Sequence, residues 1–403
     1  MSNGTKHVAS HASLLRDVSA CAPSPTNSRL DAIVVPASRP NLQRLIDLSA
    51  MLSVPLVVLC SRHAKAERVA ERVEASLGAR ALVVDILDGY QLPGHHPETS
   101  RDDFRELSAD RSSDLSVKRN LGLVLARLQG WKKILFVDDD IHQLSPRDIS
   151  RFSGSLDRHP VAAMASVAYP DNSVVCHARR LAGLRQDVFV SGAVLGVNTQ
   201  HPAVSFFPDV YNEDWFFFAQ QAASRSLPMI GKAQQDEYDP FADSGRAARE
   251  EFGDLLAEGL YALFSETPGW DQLKVAAGKR HWRLFKEGRY AMIAETSRRL
   301  SAVEDRTGAD LSSAHKSLLR ATEQLELISP DLCVDFVHSW QVDKESWQAI
   351  MPTHGSVLGE REAMNELGLT NWISCGYGNG PRSVGPGMSF SRSSDRSKEP
   401  ANV

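Results

Sequence analysis

Three consecutive aspartates, Asp138-Asp139-Asp140, are the residues of this chain best suited to chemistry. Carboxylates packed this closely repel one another unless a cation offsets them. Hard divalent ions such as Mg²⁺ and Mn²⁺ prefer oxygen ligands, so the triplet is a candidate metal site. It follows Lys132-Lys133-Ile134-Leu135-Phe136-Val137, a short apolar run opened by two lysines, as a buried strand of a parallel sheet is. In an open α/β sheet, ligands bind at the carboxyl ends of the strands, and such a strand would deliver the aspartates there. A short acidic run is also a common solvated turn, so the flanking sequence has to decide.

A second acid pair, Glu213-Asp214, follows Asn212 and opens Trp215-Phe216-Phe217-Phe218. Capping explains it blandly: Asn is a good N-cap, and the helix dipole favours acids in the first turn. A positioned carboxylate can also take a proton from a hydroxyl nucleophile. In Ser191-Gly192-Ala193 the glycine lets backbone approach a ligand closely, or marks a bulge in a packed strand. Val117, Leu121, Val124, Leu125 and Leu128 share one helix face, with Ser116 as N-cap and Gly130 as stop. Lys118 and Arg119 fall in its first turn, where cations oppose the dipole, and an anion nearby would explain them.

The elements that position these residues alternate. Asp31–Pro36 reads as a buried strand, followed by the turn Ala37-Ser38-Arg39-Pro40 and a helix carrying Leu42, Leu45, Ile46 and Leu48. Strands follow at Pro55–Cys60 and Ala81–Ile86, with a helix over roughly 64–76 between them. Residues 88–115 read as a long loop, where His95-His96 either faces a ligand or is merely exposed. Beyond the aspartates come a helix near 146–156 and strands at Val161–Val167, Asp187–Ala193 and Leu227–Ile230. This alternation predicts a doubly wound, mostly parallel α/β sheet. From about 245 helical patterns dominate, over 246–266, 270–300, 310–328 and 343–351. The expected organisation is a disordered arm (1–28, with Pro23-Ser24-Pro25), an α/β domain (29–245), a helical C-terminal module (246–375) and a disordered tail (376–403).

The whole chain bounds the rest. It has 403 residues, 42% of them hydrophobic, and a net charge of -5, so no basic field advertises nucleic acid. Its five cysteines lack CxxC spacing, which points away from a zinc site or a disulfide framework and toward reduced, cytoplasmic thiols. No run of about 18 apolar residues predicts a transmembrane segment.

The ordered combination of a helix and strand ending in "FVDDDI", then "VSGAV", then "NEDW" resembles the GT-A glycosyltransferases, most closely family 2, over about residues 29–240. The resemblance implies a Rossmann-like GT-A domain that moves a sugar from a nucleoside-diphosphate donor to a hydroxyl-bearing small-molecule or glycan acceptor. Asp138 and Asp140 match the two acids of the DxD motif, which binds Mn²⁺ or Mg²⁺ on the donor's diphosphate, and Asp139 its variable middle position. Pro36, Ala37, Ser38 and Arg39 match the end of the first strand, which contacts the nucleoside. Asp85 matches an acid near the base, and Gly192 the acceptor-side glycine loop. Glu213 and Asp214 match the xED motif, whose acid is the general base of inverting members, Asp214 being the usual choice. Members often carry a metal-binding histidine after the last strand. Here none follows Ile230 until His281, and Gln235, Asp236 and Glu237 stand there instead, with Asp236 taken as third ligand. Lys118 or Arg119 would add a charge-assisted phosphate contact. The helical module is a candidate surface for a homo-oligomer.

Three other readings compete. One is a retaining enzyme of the same fold. A sugar nucleotidyltransferase would need a Gly-rich turn after the first strand, where Pro36-Ala37-Ser38-Arg39 stands. A catalytically inactive scaffold would leave the acids without a role.

Overall fold

A computed structural model describes residues 6–18, 28–167, 169, 172–352, 357–376 and 382–388. Four parallel strands form its centre: β2 (Ala32–Ala37), β3 (Leu56–Cys60), β4 (Ala81–Asp85) and β5 (Lys133–Val137). They read as unbroken apolar runs because both faces of the sheet are covered. Successive side chains alternate between the faces. Ile33, Val35, Val58, Val83, Leu135 and Val137 meet helices α1 (Gln43–Leu52), α2 (Ala66–Ala75) and α5 (Pro146–Ser155) in one core. Val34, Val57, Leu82 and Phe136 face the other core, beneath α4 (Leu115–Leu128).

The sheet extends further than the alternation predicts. Its order is β1-β9-β7-β8-β5-β2-β3-β4-β10-β11, where β1 is Leu15–Asp17, β7 Val161–Val167, β8 Val190–Asn198, β9 Leu227–Gln235, β10 Trp372–Cys375 and β11 Ser383–Val384. Strand β6 (Ile141–Gln143) pairs with β9 off this path. Strands β6, β8 and β10 run against the rest, so the sheet is mostly parallel in direction.

Both expected tails differ from the structure where they are described. Within the arm, β1 (Leu15–Asp17) pairs in parallel with Leu227–Met229 of β9, and Leu14 is fully buried. A single leucine and a buried His11 anchor a polar segment that composition alone marks as unstructured. Residues 19–27, including Pro23-Ser24-Pro25, lie outside the described residues. In the tail, β11 (Ser383–Val384) pairs with β10 (Trp372–Cys375), while 389–403 lie outside the description.

The helices after residue 245 are no separate module. α9 (Gly245–Glu266), α11 (Lys279–Thr307), α12 (Ser312–Leu327) and α13 (Pro330–Ile350) share the core that runs from Leu14 to Trp372. The chain then returns to the sheet, and β10 pairs antiparallel with β4. The expected 88–115 loop also contains α3 (Asp102–Leu107), whose Phe104 packs on Phe252 and Phe336. Short helices α6 (Val174–Leu181), α7 (Glu213–Phe217), α8 (Ala219–Ala223), α10 (Leu273–Ala276) and α14 (Glu360–Glu366) complete the fold. Among the described residues no helix is long and apolar enough to cross a membrane.

Candidate active site

From β2 the strand order runs outward through β3 and β4 on one side and through β5 and β8 on the other. The switch point therefore lies between β2 and β5, where an open α/β sheet leaves a crevice. A cavity of about 660 Å³ opens there. Pro36, Ser38, Lys118 and Asp138–Asp140 line one side, and Arg62, Arg111, Tyr211, Arg246 and Glu250 also face it.

The three aspartates are held differently, although Asp139 and Asp140 share Arg39. Asp138 takes both oxygens to Arg119, with Nη2 at 2.9 and 3.0 Å. Asp139 accepts the backbone N–H groups of Ser38 and Arg39 at 2.6 and 2.7 Å, which ties the end of β5 to the turn after β2. Asp140 Oδ2 accepts from Gln235 Nε2 at 2.9 Å and lies 2.8 Å from Arg39 Nη1. Two oxygens are left over: Asp140 Oδ1 and Gln235 Oε1 are buried with no hydrogen-bond partner. Buried polar atoms are normally satisfied, and two oxygens lacking a donor suit a hard cation. Among the described residues no three His, Cys, Asp or Glu side chains converge as a complete metal site. A cation held by one or two carboxylates would draw its other ligands from water and phosphate, as Mg²⁺ usually does.

Arg119 ties the two acidic motifs together. Its Nη1 donates to Glu213 Oε1 at 2.6 Å while Nη2 holds Asp138. The guanidinium is buried, and the carboxylates around it hold its proton more firmly than usual. Arg111 reaches Glu213 at 3.8 Å and Asp209 at 3.3 Å. Asp214 accepts the backbone N–H of Gly192, and its other oxygen that of Trp215 at 2.9 Å. Thus α7 is tied to β8 through the Gly192 N–H and to the end of β5 through Arg119, which lies 94 residues from Glu213. Asn212 precedes α7 in the left-handed region (φ 62°) and donates to Asp254 instead of capping.

Several expected roles change in the structure. Asp236 gives its backbone N–H to the Asp140 carbonyl, but its carboxylate pairs with Arg44 at 2.9 Å and lies 3.4 Å from His142. Residue alternation along β9 turns Gln235 toward Asp140 in its place. Lys118 is fully engaged by Ala37 O, Ser61 Oγ and Asp114, leaving no donor for a phosphate. Burial lowers its pKa. Asp85 accepts the Ala66 N–H at the start of α2, with burial raising its pKa. Gly192 is backed by the Arg119 guanidinium. His95 packs edge-on against Phe206 and Trp347, so it is a core contact.

Residues that sequence reading passed over also line the cleft. Arg246 lies over the Tyr238 ring and donates to Glu250, which also accepts the Val174 N–H. Burial raises the pKa of Glu250, with Arg246 opposing the shift. Further along α9, Glu251 and Asp254 both hold Arg289, and Glu258 holds His11. The signal was present: Glu250, Asp254 and Glu258 recur at i, i+4 and i+8 along one face of the helix, among Phe252, Leu255, Leu256 and Leu260.

No family model matches this sequence, and no curated protein matches it. Among solved structures, the chain is similar to a mannosyltransferase from Pyrobaculum calidifontis in complex with GDP-Man and Mn²⁺. The identity is 14% and the TM-score 0.37, over 80% of this chain and 89% of that one. At that distance neither the activity nor the ligands of that protein transfer to this chain.

Proposed function

We propose that this chain is a metal-dependent glycosyltransferase of the GT-A type, moving a sugar from a nucleoside-diphosphate donor to a hydroxyl acceptor. The observation that carries the reading is Asp140 at the switch-point crevice, with a buried Oδ1 that has no partner, beside Asp138 on the cavity wall. The residues present fit a divalent cation, which Asp140 and Asp138 would hold. When bound, the cation would act as a Lewis acid on the leaving diphosphate.

The chain's own residues do the remainder. Ser38, which lines the cavity and is held with Arg39 by Asp139, would face the nucleoside. Arg119 orients Asp138 by donating to both of its oxygens. Asp214 is the general base: it takes the proton from the acceptor hydroxyl as that oxygen bonds to the anomeric carbon and the bond to the diphosphate breaks. Glu213, compensated by Arg119 and Arg111, is the weaker candidate. A single displacement of this kind inverts the anomeric centre. A cytoplasmic location and a homo-oligomer through the C-terminal helices belong to the same reading.

Binding to the native state raises its melting temperature. A thermal-shift panel of UDP-, GDP- and dTDP-sugars with Mn²⁺ is expected to show stabilisation by one nucleotide series, abolished by chelation. A panel with no Mn²⁺-dependent shift refutes the reading.

A further inference from the structure

We propose that Arg39 is the resident counter-cation of the aspartate cluster, and that a divalent cation displaces it from Asp140 while Gln235 supplies a neutral oxygen ligand. The proposal rests on the metal-dependent reading of the site and adds two residues to it.

Arg39 and Arg119 neutralise the same cluster in different ways. Arg119 is 2% exposed and bridges Asp138 to Glu213, so it cannot leave without stranding the buried Glu213 and the partly buried Asp138. The Arg39 side chain is 51% exposed, with Nη1 at 2.8 Å from Asp140 and 3.2 Å from Asp139. It can swing into solvent without disturbing the core. Its backbone would stay in place, because Asp139 accepts the Arg39 N–H.

Gln235 is oriented by the residue it would assist. Its Nε2 donates to Asp140 Oδ2, which holds the amide group against that carboxylate and leaves Oε1 buried and unpartnered. Asp140 is itself only 8% exposed, and its Oδ1 has no partner either. Arg39 therefore offsets the charge of Asp140 without satisfying every oxygen there. A dication held by Asp140 and Gln235 would meet the Arg39 guanidinium at close range, and like charges repel there. Cation binding thus expels Arg39. The freed guanidinium sits on the turn after β2, where it can take a diphosphate oxygen. A nucleotide that captures Arg39 would relieve the competition, so cation and nucleotide each tighten the other.

Mn²⁺ titrations by calorimetry, alone and with UDP, GDP or dTDP, test this on the full chain. In Arg39→Gln, Mn²⁺ alone is expected to bind about tenfold tighter than in the wild type. The gain in Mn²⁺ affinity on adding nucleotide is expected to shrink. Gln235→Leu is expected to weaken Mn²⁺ about tenfold in either background. Matching far-UV circular dichroism establishes that the variants fold. Unchanged or weaker Mn²⁺ binding in Arg39→Gln, with Mn²⁺–nucleotide binding intact in the wild type, overturns the counter-cation role alone. Absence of Mn²⁺ binding in every form, with every nucleotide, overturns both this proposal and the metal-dependent reading beneath it.

Discussion

A Cβ at position 192 would stand 2.6 Å from Nη1 of Arg119. Glycine is thus required where β8 passes the guanidinium that joins Asp138 to Glu213. Gly192→Ala must push the arginine off one carboxylate or move the strand. Overpacking of this kind costs about 1–3 kcal/mol. Urea denaturation is expected to show that loss, together with weaker Mn²⁺–nucleotide binding. A variant as stable as the wild type would show that the guanidinium shifts freely.

Arg119→Met removes the charge and keeps much of the bulk. Asp138 and Glu213 would then face each other without their shared cation. Breaking a buried pair from one side costs about 3–5 kcal/mol. Arg119→Lys should recover little, because one ammonium cannot replace a fork that serves two carboxylates. The midpoint of urea unfolding decides, and a lysine variant of wild-type stability would refute the bridge.

Asp140 and Asp236, which the sequence offers as a pair of ligands, are expected to separate on mutation. Asp140→Ala should abolish Mn²⁺-dependent nucleotide binding while the fold survives, since Arg39 is half exposed and can turn to water. Asp236→Ala should leave that binding within about threefold, since its carboxylate pairs with Arg44 and His142 at the surface. Calorimetry on both variants checks this; equal losses would restore Asp236 as a ligand.

Asp214→Asn keeps the shape of the side chain but removes the proton acceptor. Turnover should fall by about 10²-fold or more with donor affinity nearly unchanged. Glu213→Gln should instead lower stability, since Arg119 and Arg111 lose a charged partner. Full activity in Asp214→Asn alongside a dead Glu213→Gln would move the base to Glu213. Activity in both would remove the inverting mechanism.

His281 is buried on α11, its Nε2 3.1 Å from the Gly259 carbonyl, with burial pushing its pKa down to about 4. Between pH 6.5 and about 4 the unfolded chain therefore holds a proton at this residue that the native state lacks. Stability falls as pH drops through that window, by up to about 1.4 kcal/mol per pH unit. Urea unfolding at pH 7 and pH 5 should show a smaller acid loss in His281→Gln than in the wild type. Parallel losses would refute the assignment.

Local pattern was enough to mark the central strands, the helix from Val117 to Leu128 and the strand that delivers the aspartates. Burial on both faces writes itself as an unbroken apolar run, and a buried helix face writes itself as a period near four. The same locality explains what stayed hidden. β1, which follows the buried Leu14, pairs with β9 more than 200 residues away, and nothing in a polar arm announces it. The chain's return as β10 beside β4 is equally non-local. At the site, the sequence determined which side chains are acidic and at which strand end they emerge. Only the tertiary structure decided their partners: Arg119 spans Asp138 and Glu213, Lys118 turns to Asp114, and β9 presents Gln235 to Asp140. The reason is geometric. A charge's partner is whatever the fold brings within about 3 Å, and spacing along the chain does not encode that distance.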